Sequence, residues 1–368
     1  MPDNPTPIRI GILGCGGIAR QVHLPLLHRN GAARITALAD ADPARLGEAR
    51  SLAPGARSVG DFQQVVEMPE VDAVVIALPP ALHAAAAIAA IGHGKHIYLE
   101  KPLATTLAEG RRVIEAWRQA DAGLTAMMGF NYRRNRLVSS AREMIAAGRI
   151  GAPLAARTVF ASRGRDEPGW KRARASGGGV LLDLGIHHID LLRFLFAAEV
   201  ADVAAQLRSV RTENDTAELQ LRLTSGCAAQ SFFSLSAVEE DRIEIYGTAG
   251  KLTLDRYGSL GIELAPSTAR GALGSTVRRA IREWSALPYA FRRRGEPLGE
   301  PSFRAALEAF VGAARAGERV DPDLLDGYRA LAVIDAAESS ARTGRTVSVE
   351  ELSPPRPTST TMGRAADS

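Results

Sequence analysis

Through the first third of the chain, apolar residues come in short blocks: Ile8 to Leu13, Arg34 to Ala39, Ala73 to Leu78, His96 to Leu99 and Leu124 to Met128. Blocks without a polar face predict strands covered on both sides, as in a parallel sheet. Between them Ile18, Val22, Leu26 and Leu27 recur at helical spacing. Pro43 to Arg50, Leu82 to Ile91 and a segment ending at Gln119 read as further helices. Strands alternating with helices predict an α/β domain, a Rossmann-type doubly wound parallel sheet over residues 1–128.

The pattern then changes. Arg134 to Ala147 predicts a helix stopped by Gly148, and Leu154 to Ser162 a strand. Beyond a helix ending at Phe196, strand-like stretches follow closely: Val200 to Ser209, Ala217 to Leu223, Ala228 to Leu235, Arg242 to Tyr246 and Lys251 to Leu254. Glu218 to Leu223 alternates polar and apolar residues, the mark of a sheet with one buried face. Gly247 to Gly250 reads as a turn between two strands. Residues 129–350 therefore predict an α+β domain with a large, mostly antiparallel sheet, closed by helices from Phe303 and from Leu324 to about Ala341. Residues 351–368 are rich in Pro, Ser and Thr and are expected to be disordered.

A formal net charge of +4 is too small to argue for nucleic acid. The two cysteines, Cys15 and Cys227, form no disulfide framework and suit a reducing compartment. Met1 to Pro7 lacks the apolar core of a secretory signal, and Ala73 to Ile91 is interrupted by Pro79-Pro80, so no membrane span is expected. A soluble cytoplasmic protein with no metal site is the expectation.

Three stretches carry chemistry. Gly14-Cys15-Gly16-Gly17-Ile18-Ala19 fits G-x-G-x-x-A between a predicted strand and helix, the context of a dinucleotide loop. Gly14 would make the tight turn, Gly16 would let a pyrophosphate approach the backbone, and Ala19 would let the helix pack close. Asp40 ends the second strand, where a carboxylate accepts ribose hydroxyls and repels a 2′-phosphate, so NAD is favoured over NADP. The alternative for Asp40 is a turn or N-cap residue. In the second stretch, Pro102 pins Lys101 just past a strand's carboxyl end, where open α/β sheets bind ligands. The alternative is a surface lysine paired with Glu100. In the third, Gly177-Gly178-Gly179 opens a helix on which Asp183 and His187 stand four residues apart on one face, a carboxylate beside an imidazole suited to proton transfer.

These stretches, in this order, resemble the Gfo/Idh/MocA family of glucose–fructose oxidoreductase and inositol dehydrogenase. Gly94 to Ala104 resembles the family's lysine motif, Gly177 to Asp190 its G-G-G-x-L-x-D-x-G-x-H-x-x-D segment, and Gly327 to Val349 its closing helix and strand. The likeness runs from about residue 8 to 350. Gly129 to Asn135 departs from it, lacking the phenylalanine and proline of the family's turn. The resemblance implies a two-domain dehydrogenase of sugars, cyclitols or nucleotide sugars, with Lys101, Asp183 and His187 catalytic. It implies a dinucleotide held by Gly14, Gly16, Gly17, Ile18, Asp40, Leu78, Pro79, His83, Glu100, Lys101, Asn131, Trp170 and Lys171. His187 would act as general base with a pKa near the ordinary ~6.5, Lys101 would steady the reacting oxygen, and Asp183 would bind a neighbouring hydroxyl or orient the imidazole. His188 has no assigned role. The resemblance also implies a homodimer or homotetramer through the second sheet. It leaves open a redox-neutral, NAD-dependent glycoside hydrolase and a non-catalytic ligand sensor. Residues 266–295 hold seven arginines and one acid, Glu283. They read either as a basic arm for an anionic substrate or, in preference, as a solvated helix and loop.

Overall fold

The computed structural model describes residues 6–163, 168–266 and 287–350. The predicted disordered tail and most of the arginine-rich stretch, residues 267–286, lie outside the described residues.

Six parallel strands form the first sheet: β1 (Ile8–Leu13), β2 (Ala33–Ala39), β3 (Arg57–Val59), β4 (Ala73–Ile76), β5 (His96–Leu99) and β6 (Ala126–Met128). Their order is β3-β2-β1-β4-β5-β6. The chain starts in the middle, winds outward to β3, then jumps back beside β1. That reversal opens a crevice at the carboxyl ends of β1 and β4, where doubly wound sheets hold ligands. β4 is buried along its whole length, as its unbroken apolar sequence requires. The edge strand β3, Arg-Ser-Val, has no apolar block to announce it.

Eight strands form the second sheet: β7 (Pro153–Ala161), β8 (Val200–Arg208), β9 (Thr216–Leu223), β10 (Ala228–Ser234), β11 (Glu240–Gly247), β12 (Gly250–Asp255), β13 (Glu263–Pro266) and β14 (Val347–Ser348). The order is β13-β12-β11-β7-β10-β9-β8-β14, antiparallel except where β7 meets β10. β9 buries alternate residues, as its sequence alternation predicts. The helix Leu324–Thr343 packs on β8 and on the helix Leu107–Gln119 of the first layer.

A second contact joins the layers. The helix Ser302–Ala316 returns to the first sheet, where Leu307, Phe310 and Val311 share a core with Ile10, Ile12, Leu27, Val75 and Tyr98. A buried ionic cluster braces the second layer from within. Arg133 donates to Asp190 (2.8 Å) and Asp326 (3.1 Å), and Arg193 donates to Asp326 (3.0 Å) and Glu199 (2.6 Å). Asp190, the last residue of the glycine-run segment, is thus a structural anchor between three elements. Removing one partner of such a cluster strands a buried charge. No helix among the described residues is long and apolar enough to cross a membrane.

Candidate active site

The loop after β1 makes the tight turn its glycines suggest. Gly14 has φ +92°, and a Cβ there would sit 2.6 Å from the Ala77 carbonyl oxygen, so any other residue is strained twice over. A Cβ on Gly16 would meet nothing within 4 Å, leaving the backbone open on the cleft side. Ala19 is fully buried. The helix entered here is not plain α: Ala19–His23 is a π turn running into the α-helical Leu24–His28. Asp40 accepts the Cys15 N–H and the Asp42 N–H, each at 2.8 Å, so it ties the loop to the end of β2. The N-cap of the helix Pro43–Leu52 is Asp42, not Asp40. An open Gly16 backbone and a fixed acid after β2 fit a dinucleotide, with the pyrophosphate at the helix start and a ribose at Asp40.

Across the cleft, the glycine run enters a π turn, Leu181–Gly185, before the α-helix Ile186–Phe196. π turns are rare and concentrate at functional sites. Lys101, just past β5, donates to the Asp183 carbonyl oxygen (2.7 Å) and to its Oδ1 (2.9 Å). Lys171 takes Oδ2 at 2.7 Å. Both carboxylate oxygens are therefore held by ammonium groups. Burial alone would raise the Asp183 pKa, but Lys101 and Lys171 outweigh it and hold the carboxyl well below its ordinary range. The grip explains Gly178: a Cβ there would collide with the Lys171 carbonyl. The lysine loop can close on Asp183 only over a residue without a side chain.

His187 is 7% exposed and lines the cleft. Its Nδ1 is buried with no hydrogen-bond partner among the described residues, which leaves Nε2 as the nitrogen toward the cleft. Aromatic rings set its orientation: Tyr132 lies at 4.4 Å and 34°, with Phe160 and Phe130 farther off. Burial first, then the charges of Lys101 and Arg256, push its pKa well below the ordinary value, against the pull of Asp183. This revises the expected near-ordinary pKa: the ring is neutral at physiological pH, the form that accepts a proton. Behind it, Arg256 stacks on the far side of the same ring system, 3.3 Å from the Tyr132 centroid, and donates to Asp241 (2.8 Å) and Glu300 (2.9 Å). His188 belongs to this layer. It is fully buried, pairs with Asp241 at 3.1 Å and stacks on Phe160.

One cleft of about 590 Å³ is lined by Gly14, Gly16, Gly17, Ile18, Asp40, Leu78, Pro79, His83, Glu100, Lys101, Asn131, Trp170, Lys171, Asp183 and His187, so the expected catalytic and cofactor-binding residues meet there. Several also brace its walls. His83 is buried with its ring nitrogens facing the carbonyls of Pro102 (2.6 Å) and Leu78 (2.8 Å), which joins the ends of β4 and β5. Asn131 donates to Ser302 (2.9 Å). Trp170 accepts at its carbonyl from Ser176 and lies beside the Lys171 ammonium. Sequence reading missed Tyr132, Arg256 and His23. Tyr132 lies in the one turn that departs from the resembled motif; nothing local marks the other two.

Family models match most of the described chain: the oxidoreductase family NAD-binding Rossmann fold over residues 8–129, and the GFO/IDH/MocA C-terminal domain over residues 138–253. The chain belongs to the GFO/IDH/MocA family of oxidoreductases. It is 30% identical over 354 residues to myo-inositol 2-dehydrogenase of Thermotoga maritima, covering 94% of this chain and 99% of that one. It is 31% identical over 352 residues to 1,5-anhydro-D-fructose reductase of Ensifer adhaerens, covering 93% and 98%. Among solved structures, the WlbA dehydrogenase of Bordetella pertussis, in complex with NADH and UDP-GlcNAcA, superposes with a TM-score of 0.81 over 95% of this chain and 100% of that one. At 22% identity that likeness speaks for the fold. This GFO/IDH/MocA chain is thus an oxidoreductase with an NAD(P)-binding Rossmann domain and a second, mostly antiparallel sheet.

Proposed function

We propose that the protein transfers a hydride between nicotinamide and a secondary alcohol of a sugar, cyclitol or nucleotide-sugar-type substrate. The observation that carries the reading is the convergence of Lys101 and His187 on one cleft with the glycine loop. Relatives named as inositol dehydrogenase, anhydrofructose reductase and a nucleotide-sugar 3-reductase support the substrate class.

The nicotinamide supplies the hydride acceptor or donor. Neutral His187 takes the hydroxyl proton at Nε2 as general base; with no bond at Nδ1 to set the tautomer, the ring can keep its own proton there. Lys101, held by the Asp183 carbonyl and carboxylate, donates to the reacting oxygen and stabilises developing alkoxide charge. Asp183 serves by fixing the two lysines, since both of its carboxylate oxygens are engaged by them. NAD is the preferred cofactor. Arg20 and Arg45 line the ribose end beside Asp40, but Glu48 and Asp42 already pair with them, which leaves the Asp40 charge to repel a 2′-phosphate. Residues up to 128 form the cofactor domain and 129–350 the substrate domain. The open face of the second sheet, with Arg157, Gln220, Gln230 and Phe232, supports assembly as a homodimer or homotetramer.

The test is a panel of sugars, cyclitols and nucleotide sugars with NAD, followed by NADH absorbance. His187→Ala and Lys101→Ala should each lower kcat roughly 10²-fold or more with NAD affinity nearly intact. Near-normal turnover in both variants, or sugar release without net NADH, would overturn the assignment.

A further inference from the structure

The π turn Ala19–His23 has a consequence for the cofactor. It ends on His23, whose side chain is fully buried beneath the dinucleotide loop. His23 Nε2 lies 2.9 Å from Glu100 Oε1, and the ring packs edge-on to Tyr98 at 5.6 Å. Tyr98 in turn meets Phe310 of the returning helix. His23 Nδ1 is buried and has no partner among the described residues. Nε2 is the nitrogen that donates, because a carboxylate oxygen only accepts. Glu100 is the residue before Lys101 and lines the cleft, its side chain 12% exposed. No hydrogen bond from the described residues reaches its other oxygen. The result is a carboxylate anchored at one oxygen by the His23 ring, with the second oxygen unpaired among the described residues in a side chain that lines the cleft.

We propose that His23 is a positioning residue that holds the Glu100 carboxylate toward the cleft, so that the site binds the oxidised dinucleotide in preference to the reduced one. This rests on the reading that Lys101, and therefore Glu100 beside it, faces the nicotinamide end of the cofactor. The oxidised nicotinamide ring carries a positive charge and the reduced ring carries none. A fixed negative group in a partly desolvated wall distinguishes them by Coulomb attraction, which water would otherwise screen.

The experiment measures Kd for NAD+ and for NADH by titration calorimetry on the full-length protein, with no substrate and no turnover. Glu100→Gln keeps the shape and removes the charge. It should lower the ratio Kd(NADH)/Kd(NAD+) roughly fivefold or more. His23→Phe keeps the ring and removes the donor, and should shift the ratio in the same direction. His23→Gln, which can still donate, should keep more of the wild-type ratio than His23→Phe. Should His23→Phe fail to fold, Glu100→Gln and His23→Gln still decide. Equal factors on both affinities in Glu100→Gln would overturn the proposal, as would a His23→Gln ratio no better than that of Glu100→Gln. A wild-type protein that binds neither dinucleotide would instead bring down the dehydrogenase reading beneath it.

Discussion

Asp183 offers the sharpest test of the site. Asp183→Asn is nearly isosteric. It keeps an oxygen for Lys101, but puts an amide N–H2 or an uncharged oxygen where Lys171 now finds a carboxylate. The wild-type contacts are short, 2.9 Å to Lys101 and 2.7 Å to Lys171, and the three side chains are only 18%, 25% and 20% exposed (Lys101, Lys171 and Asp183). Charge-assisted hydrogen bonds of this kind contribute about 1.5–3 kcal/mol each. Two are weakened at once, and the substitution leaves two ammonium groups without their shared counter-charge. The expected loss is about 2–4 kcal/mol of stability at neutral pH. Urea unfolding should show it as a lower midpoint with an unchanged slope. The sign with pH follows from the lowered carboxyl pKa. Its stabilisation is fully present above the unfolded value of ~3.9 and is lost as pH falls toward the folded one. The gap between wild type and variant should therefore be constant at neutral pH and narrow below about pH 4. Turnover should fall about 10²-fold, because Lys101 loses its fixed aim. A variant as stable as wild type at neutral pH, or a gap that does not narrow in acid, would refute the account of Asp183 as the clamp.

Two further outcomes are expected. Because the His187 pKa is depressed by burial and then by Lys101 and Arg256, kcat/KM should stay level as pH falls through ~6.5, with the acid limb lying below it. Arg256→Met should move that limb up toward the ordinary histidine value, and a limb at ~6.5 in the wild type would contradict the buried, neutral base. Gly178→Ala should push the Lys171 backbone away from Asp183, reducing kcat roughly tenfold or more while calorimetric NAD affinity changes little; equal loss in both would mean the loop serves the cofactor instead.

Legibility followed locality. The parallel strands were readable because a strand buried on both faces must be apolar throughout, and β9 because one buried face forces alternation. The dinucleotide loop, Lys101 and Asp183 were readable because their chemistry is tied to short spacings. What could not be read depends on residues far apart in sequence. Arg256 reaches the site through a ring contact with Tyr132, and His188 finds its purpose only in Asp241. To the expected role of Asp183 toward a hydroxyl or the imidazole the structure adds two lysines, one of them on a loop whose approach depends on Gly178. His23 was hidden for a subtler reason. A π turn adds a residue to the helical repeat, so periodicity of 3.6 misplaces the side chain that follows. The histidine pKa was misjudged because burial and net neighbouring charge are properties of the folded surroundings, not of the motif.

The returning helix Ser302–Ala316 bears on how the chain can be assembled and cut. The floor of the cofactor layer is completed by Leu307, Phe310 and Val311, which are synthesised only after seven of the eight strands of the second sheet. A ribosome that has released residues 1–128 has therefore released a sheet whose one apolar side, around Ile10, Ile12, Val75 and Tyr98, is covered only in part, by Val22, Leu24 and Leu27. The two layers are continuous in space but interleaved in time: the first to be begun is finished only when the second is nearly complete. A truncation that respects the sequence boundary still removes part of the cofactor domain's own core, and swapping the second half for a relative's also replaces the underside of the first.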